Sequence, residues 1–183
     1  DAVEDMDTLL GYLIHELEGL EIYSDLNILV VSDHGMTNVS KDSLVILDDY
    51  IRRLEDLYMN GRGTHVQFDL KKGKNKYART LWSELQKIPH CRVWERDKIP
   101  EHFHFNNGNT GDYLLLADEG WLITTKSAME ENEFTLSGMH GYDPQSPNMH
   151  GIFYAVGPDL KSGFQISAFE NIHIYPLICE LLE

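Results

Sequence analysis

Apolar residues follow two patterns along the chain, and each pattern predicts a different element. Runs of aliphatic residues without polar alternation, typical of strands buried on both faces of a parallel sheet, occupy residues 27–32, 111–118 and 151–158. Around residues 3–20 and 171–183, apolar side chains instead recur every three or four positions, which predicts amphipathic helices. Because strands and helices alternate, the sequence predicts an α/β fold with a mostly parallel sheet and flanking helices.

A β-helix-β run occupies the middle of the chain. Polar and apolar residues alternate at residues 64–70, helical spacing follows at 77–85, and a further strand is predicted at 91–95. We expect residues 64–95 to form a small α+β segment inserted between the parts that carry the site.

The charge of the chain limits its partners. Its 183 residues fit one domain and include 15 basic and 30 acidic residues, a formal net charge of −15. Because nucleic-acid affinity comes largely from Lys and Arg, we expect no nucleic-acid polymer as a partner, whereas a small anionic substrate would need bound metal ions.

No apolar run approaches the roughly 20 residues of a membrane helix, so we expect no membrane segment in this window. Cys91 and Cys179 match no zinc or redox spacing and are either two free thiols or one disulfide.

The first chemical signal follows the first apolar run, in the stretch VVSDHGMTN at residues 30–38. Asp33 and His34 stand together at the carboxyl end of the predicted strand, where ligands bind in open α/β sheets. Gly35 permits backbone conformations that can aim both side chains at one point. A carboxylate oxygen with an imidazole nitrogen is half of a zinc coordination shell. Taken alone, the pair is more simply explained as a helix N-cap with a packed histidine.

The second chemical signal precedes the last apolar run. His140 is bracketed by Gly138 and Gly141, which let the backbone approach another group closely. A lone loop histidine is usually solvated. A loop that leads into a buried strand, however, lies near the edge of the sheet, where the first motif is also expected.

Other polar residues near these motifs have open roles. Asp143 could orient a metal ligand or fix a turn before Pro144. His102 and His104, in the stretch HFH, could form a second metal site, although local packing and hydrogen bonding explain them more simply. Asn38 begins NVS, an N-glycosylation acceptor pattern that often arises by chance.

Together, the two histidine motifs resemble a known family. SDHGM, followed about a hundred residues later by MHGYD and NMHGIFYAVGP, is similar to the ectonucleotide pyrophosphatase/phosphodiesterase family of the alkaline phosphatase superfamily. The similarity continues in VWERDKIPEHFHFNN, in LLADEGW and in FENIHIYPLICELL, so it spans essentially the whole chain. The resemblance implies an alkaline-phosphatase-like fold and a site with two Zn²⁺ ions.

The resemblance also implies a role for each matching residue. Asp33 and His34 are expected to bind the zinc that also holds the nucleophile, and His140 is expected to bind the other zinc. The family's nucleophilic threonine, an aspartate on the same zinc and an Asp-x-x-x-His pair lie upstream of the matched residues. We therefore expect residues 1–183 to be the C-terminal half of a catalytic domain, with no catalytic nucleophile of its own and the missing N-terminal half as its partner.

The implied activity is that of a zinc-dependent phosphodiesterase or nucleotide pyrophosphatase. It would hydrolyse phosphodiester or pyrophosphate bonds in a small substrate such as a nucleotide or a lipid headgroup, and the fragment alone would be inactive. The resemblance further implies an extracellular, cell-surface or periplasmic location. Two alternatives remain, a phosphomonoesterase of the same superfamily and a non-catalytic binding domain that retains the fold.

Overall fold

A computed structural model describes residues 1–131 and 137–183. Its helices are α1 (Ala2–Glu18), α2 (Ala78–Leu85), α3 (Lys126–Glu131) and α4 (Ile174–Leu181). Its strands are β1 (Ile28–Val31), β2 (Thr37–Asn38), β3 (Leu44–Ile46), β4 (Leu57–Asn60), β5 (His65–Leu70), β6 (Cys91–Glu95), β7 (Tyr113–Ala117), β8 (Leu122–Thr124), β9 (Gly138–Met139) and β10 (Phe153–Val156). The chain divides into two compact units. We call residues 34–150 the middle unit, and residues 1–33 with 151–183 the terminal unit.

The terminal unit contains α1, β1, β10 and α4. Helix α1 begins at Asp1, whose carboxylate accepts the backbone N–H groups of Val3 and Glu4, the usual arrangement of a helix N-cap. Strands β1 and β10 pair antiparallel, with Ile28 opposite Val156. The two amphipathic helices predicted at residues 3–20 and 171–183 are thus confirmed, with shorter bounds.

The prediction that the first and third apolar runs are buried on both faces is wrong. They form strands, β1 and β10, but Val31 is 45% exposed and Tyr154 is 68% exposed. Within the described residues these strands pair only with each other. Two strands alone cannot cover both faces of their own ribbon, so an apolar composition did not lead to burial.

The middle unit is built on a four-stranded antiparallel sheet in the order β4-β5-β7-β6. Its core joins Phe68 and Leu115 from the sheet to Leu81 and Leu85 from α2, all of them fully buried. The order β5, α2, β6 agrees with the elements predicted in residues 64–95. The sheet itself is larger than that segment, because β4 and β7 also belong to it.

Strand direction is where the α/β prediction and the structure differ. The run at residues 111–118 forms the buried strand β7, as predicted, but β7 lies between two antiparallel neighbours. Among the described residues the parallel pair is β3 with β8, where Leu44 lies opposite Leu122. The mixed α/β class is confirmed, while most described strand pairs are antiparallel. An apolar run reports that a strand is buried and does not report the direction of its neighbours.

Two further expectations from the sequence can be compared with the fold. Among the helices of the described residues, none is both long and apolar enough to cross a bilayer. Cys91 and Cys179 are free thiols, which favours the first of the two alternatives for the cysteines. Burial raises the pKa of the Cys91 thiol to about 12, so this thiol stays protonated and unreactive at neutral pH.

Candidate metal centre

The imidazole rings of His34 and His140 lie face to face in the middle unit. Their centroids are 3.7 Å apart and their planes differ by 16°. Nδ1 of His34 lies 2.7 Å from the backbone carbonyl oxygen of Gly35, which fixes the orientation of that ring. The structure therefore brings together two of the three predicted metal ligands, from positions more than a hundred residues apart in the sequence.

Two short strands account for this approach. β2 begins three residues after His34, and β9 ends one residue before His140. They pair antiparallel, with Thr37 opposite Met139. Because the start of one antiparallel strand lies beside the end of the other, the segment before β2 and the segment after β9 are placed side by side. Because each of these strands has only two residues, neither could be predicted from a periodic pattern in the sequence.

The glycine that follows each histidine is required by close packing. A Cβ on Gly35 would lie only 2.1 Å from the carbonyl oxygen of Asn148, and the Gly35 N–H donates to the carbonyl oxygen of Met149 at 2.9 Å. Gly141 has φ +89°, and a Cβ there would lie 2.9 Å from Oγ1 of Thr64. Gly35 thus acts by letting another backbone approach, not by a left-handed conformation as the sequence suggested.

Asp33, the third predicted ligand, is the last residue of the first segment of the terminal unit and is exposed. Its backbone carbonyl oxygen accepts a hydrogen bond from Nδ2 of Asn171 at 3.5 Å, within the same unit. The covalent bond to His34 is what links it to the histidine pair. Its role as a metal ligand stays a prediction.

The segment after His140 is anchored by Tyr142. This side chain is buried, and its hydroxyl donates to the carbonyl oxygen of Trp121 at 2.9 Å. Burial raises the pKa of Tyr142 to about 12. The hydroxyl therefore remains a donor at neutral pH, and the backbone just after His140 is held to the rest of the middle unit.

Asp143 continues this anchor. Its carboxylate accepts a hydrogen bond from Nη1 of Arg92 at 2.8 Å and from the N–H of Gln145 at 3.0 Å. Nε2 of His102 lies 3.4 Å away. Burial alone would raise the pKa of Asp143, but the Gln145 N–H and Arg92 together hold it below its usual value. These contacts support the role of Asp143 in fixing the turn before Pro144. They also place the Asp143 carboxylate next to His102.

Within residues 1–131 and 137–183, no group of three or more His, Cys, Asp or Glu side chains is arranged to hold a metal ion. The alternative of a second metal site at His102 and His104 therefore has no support. The His34–His140 pair supplies two imidazole donors, fewer than the four ligands of a zinc shell. A complete site needs donors in addition to this pair.

Sequence reasoning missed Glu119, which lies in the turn between β7 and β8. Its carboxylate accepts hydrogen bonds from the hydroxyl of Ser146 and the amide of Asn148. These hydrogen bonds, led by that of Ser146, lower the pKa of Glu119. An acid in a turn is usually a solvated charge, and although Glu119 lies in the stretch LLADEGW that resembles the family, nothing in the sequence assigned it a role.

Comparisons with known proteins agree with this architecture. The family model described as Type I phosphodiesterase / nucleotide pyrophosphatase matches residues 1–143. The chain belongs to this family.

Similar proteins match the chain over almost all of its length. Human ectonucleotide pyrophosphatase/phosphodiesterase family member 5 is 34% identical over 182 residues, which are 99% of this chain and 37% of that protein. The Bis(5'-adenosyl)-triphosphatase of Bos taurus is 34% identical over 99% of this chain and 38% of its own length. The chain therefore spans well under half the length of these relatives.

Solved structures show the same relationship. The structure of human ectonucleotide pyrophosphatase/phosphodiesterase 5 matches with a TM-score of 0.87 and 32% identity, over 99% of this chain and 47% of that one. An inactive variant of the murine protein in complex with AMP matches with a TM-score of 0.85 and 34% identity, over 97% of this chain and 46% of that one. The fold of the chain is that of this family.

Proposed function

We propose that the chain is part of a zinc-dependent phosphodiesterase or nucleotide pyrophosphatase that hydrolyses phosphodiester or pyrophosphate bonds. The observation that carries this proposal is the stacked pair of His34 and His140, formed by two motifs that resemble the family's metal ligands. Asp33 and His34 would bind one zinc ion, and His140 would bind the other. Asp33 is included in the proposal because it matches the family motif and because it is covalently bonded to His34.

The histidine pair fits this chemistry. Imidazole nitrogen is a preferred zinc donor, and the two rings, stacked with centroids 3.7 Å apart, offer two such donors in one place. Zinc ions, when bound, shield the negative charge of a phosphate and favour deprotonation of a nucleophilic hydroxyl. The close packing at Gly35 and Gly141 holds the ring positions before any ion binds.

The rest of the domain is proposed to lie outside this sequence. The nucleophile and the remaining metal ligands would come from the N-terminal half, since the chain covers 37% of its human relative. That half would also cover the apolar side chains that the terminal unit exposes, among them Val3, Met6 and Tyr175. We therefore expect the 183-residue chain alone to be inactive and to self-associate or aggregate. A monodisperse, cooperatively melting monomer would contradict the second expectation.

A nucleotide is the substrate class that the relatives favour. One relative is named a Bis(5'-adenosyl)-triphosphatase, and a related solved structure contains AMP. A lipid headgroup of the phosphodiester type is the second candidate. The family resemblance further supports an extracellular, cell-surface or periplasmic location.

The proposal is tested on the longer protein that contains this chain, with bis(p-nitrophenyl) phosphate as the diester and p-nitrophenyl phosphate as the monoester. We expect the diester to be preferred, a chelator to abolish turnover, and zinc to restore it. His34→Ala and His140→Ala should each lower kcat/KM by at least about 100-fold, as loss of a group that acts in the transition state does. His15→Ala, an exposed histidine on α1, is the matched control and should have no effect.

Each alternative predicts a different result. Preference for the monoester would replace this proposal with a phosphatase of the same superfamily. Zinc binding without turnover of either compound would favour a non-catalytic binding domain. If turnover is unchanged in both histidine variants, the histidine pair is not part of the active site.

A further inference from the structure

Glu119 is connected to the backbone on both sides of the histidine pair. Ser146 and Asn148, which donate to its carboxylate, belong to the segment that follows Tyr142, and Thr37, whose side chain also lowers its pKa, belongs to β2. All of these residues lie in the middle unit. One acidic side chain in a turn therefore joins segments that are separate in the sequence.

The first connection runs through Thr37. This residue lies three positions after His34 and pairs with Met139, which directly precedes His140. The Thr37 side chain is among the groups that lower the pKa of Glu119, so this carboxylate lies beside the strand pair that sets the distance between the two rings.

The second connection runs through Asn148. Its amide donates to Oε1 of Glu119, while its carbonyl oxygen packs against Gly35, the residue next to His34. The N–H of Gly35 donates to the carbonyl oxygen of Met149. Fixing Asn148 therefore fixes the surface on which the His34 backbone rests.

We propose that Glu119 is a positioning residue that holds the His34–His140 pair in place for metal binding. The inference rests on the function proposed above, because it assigns Glu119 to the same site. Glu119 acts through Thr37 and Asn148 rather than by touching an ion. A carboxylate suits the role because it has two acceptor oxygens, and Ser146 and Asn148 donate to separate ones. Glutamine offers one acceptor oxygen, and its NH₂ group would face donors.

The test uses the longer protein in zinc-free and zinc-loaded form. Glu119→Ala and Glu119→Gln are compared with Glu130→Ala, which removes an exposed glutamate on α3. The first readout is the zinc dissociation constant, measured by competition with a chromogenic chelator. The second is the set of imidazole proton NMR signals of the zinc-free protein, assigned with His34→Ala and His140→Ala. The third is kcat/KM for the diester as a function of zinc concentration.

We expect Glu119→Ala to weaken zinc binding about 10- to 100-fold, as loss of a group that orients metal ligands does. Glu119→Gln should have a smaller effect in the same direction, and Glu130→Ala none. The imidazole signals of His34 and His140 should shift in both Glu119 variants while the other histidine signals stay in place. Excess zinc should restore most of kcat, which would not occur if the protein were simply unfolded.

The outcomes separate this inference from the proposed function. If the parent protein binds zinc and Glu119→Ala binds it equally well, the positioning role is wrong and the proposed function stands. If the parent binds no zinc, the proposed function fails, and unchanged imidazole signals in Glu119→Ala would overturn the positioning role as well. Should Glu119→Ala fail to fold, Ser146→Ala removes one donor only, and an unchanged zinc dissociation constant in that variant would also overturn the inference.

Discussion

Both units of the chain contain apolar strands and amphipathic helices, yet only the middle unit encloses a core. Phe68, Leu81 and Leu115 of the middle unit are fully buried, whereas α1 of the terminal unit has no buried residue. The middle unit has a four-stranded sheet with a helix packed on it, while the terminal unit has two paired strands and helices whose apolar faces remain exposed. An amphipathic sequence guarantees an apolar face, and burial of that face depends on a partner surface of sufficient size.

The largest expected effect tests whether the core of the middle unit carries the stability of the chain. Phe68→Ala should lower the free energy of unfolding by about 4 kcal/mol, because it removes a fully buried ring. The matched change in the terminal unit is Phe164→Ala, at a side chain that is 66% exposed, and its effect should stay within about 0.5 kcal/mol. Urea unfolding followed by circular dichroism measures both values, and equal losses would break the comparison.

Backbone protection should differ by about 100-fold between the units, because local opening requires less free energy where few apolar contacts cover the strands. Amide hydrogens of β7, such as that of Leu115, should exchange more slowly than those of β1, such as that of Val30. Hydrogen exchange with mass spectrometry on the 183-residue chain, diluted until it is monomeric, measures this difference. Equal protection would show that the terminal unit is covered in solution.

A smaller effect is expected from the buried tyrosine that anchors the segment after His140. Tyr142→Phe should cost about 1 kcal/mol at neutral pH, because it removes the hydrogen bond to the carbonyl of Trp121. Tyr154→Phe, at a tyrosine that is exposed in the terminal unit, is the matched control for loss of a hydroxyl. Urea unfolding at pH 7 measures both changes.

Tyr142 also predicts a dependence on alkaline pH. Its pKa is raised by burial from 10.0 to about 12, so between these values the unfolded chain loses a proton that the folded chain keeps. The stability that this group contributes is complete below pH 10 and is lost as pH rises towards 12. Tyr142→Phe should therefore lose less stability than the parent over this range, and parallel curves would contradict the prediction.

The smallest effect is expected at the Arg92–Asp143 ion pair. Arg92→Gln should lower the free energy of unfolding by less than about 1 kcal/mol, since Arg92 is 45% exposed and exposed ion pairs are screened by water and salt. A double-mutant cycle with Asp143→Asn, run at low and high salt, isolates the pair. A coupling above about 2 kcal/mol would mean that polar contacts, and not only apolar burial, distinguish the middle unit.

The sequence predicted which segments form strands and helices better than it predicted whether those segments are buried and in which direction their neighbouring strands run. The runs at β1, β7 and β10 are strands, as their composition indicated, and α1 and α4 are helices. The burial of β1 and β10 and the direction of the strands beside β7 differed from the prediction, because both depend on neighbours that are distant in the sequence. A run such as YLLLA in β7 is compatible with either a parallel or an antiparallel partner.

The candidate site shows the same limit. His34 and His140 were found because each lies in a recognisable motif, and the structure brings their rings together. The pair of β2 and β9 that joins them is too short to be read from a pattern. Glu119 could not be predicted at all, since its importance comes from the donors that surround it and not from its own sequence context.

The pairing of β1 with β10 also has a consequence for synthesis of the chain on the ribosome. Ile28 pairs with Val156, so the partner of β1 is available only after residues 32–152 have been synthesised. At translation rates of roughly 5–20 residues per second, this delay is on the order of 10 s. The middle unit lies between the two strands in the sequence and can complete its core during that interval. The apolar segment at residues 27–32 thus remains without its partner strand until β10 has been synthesised.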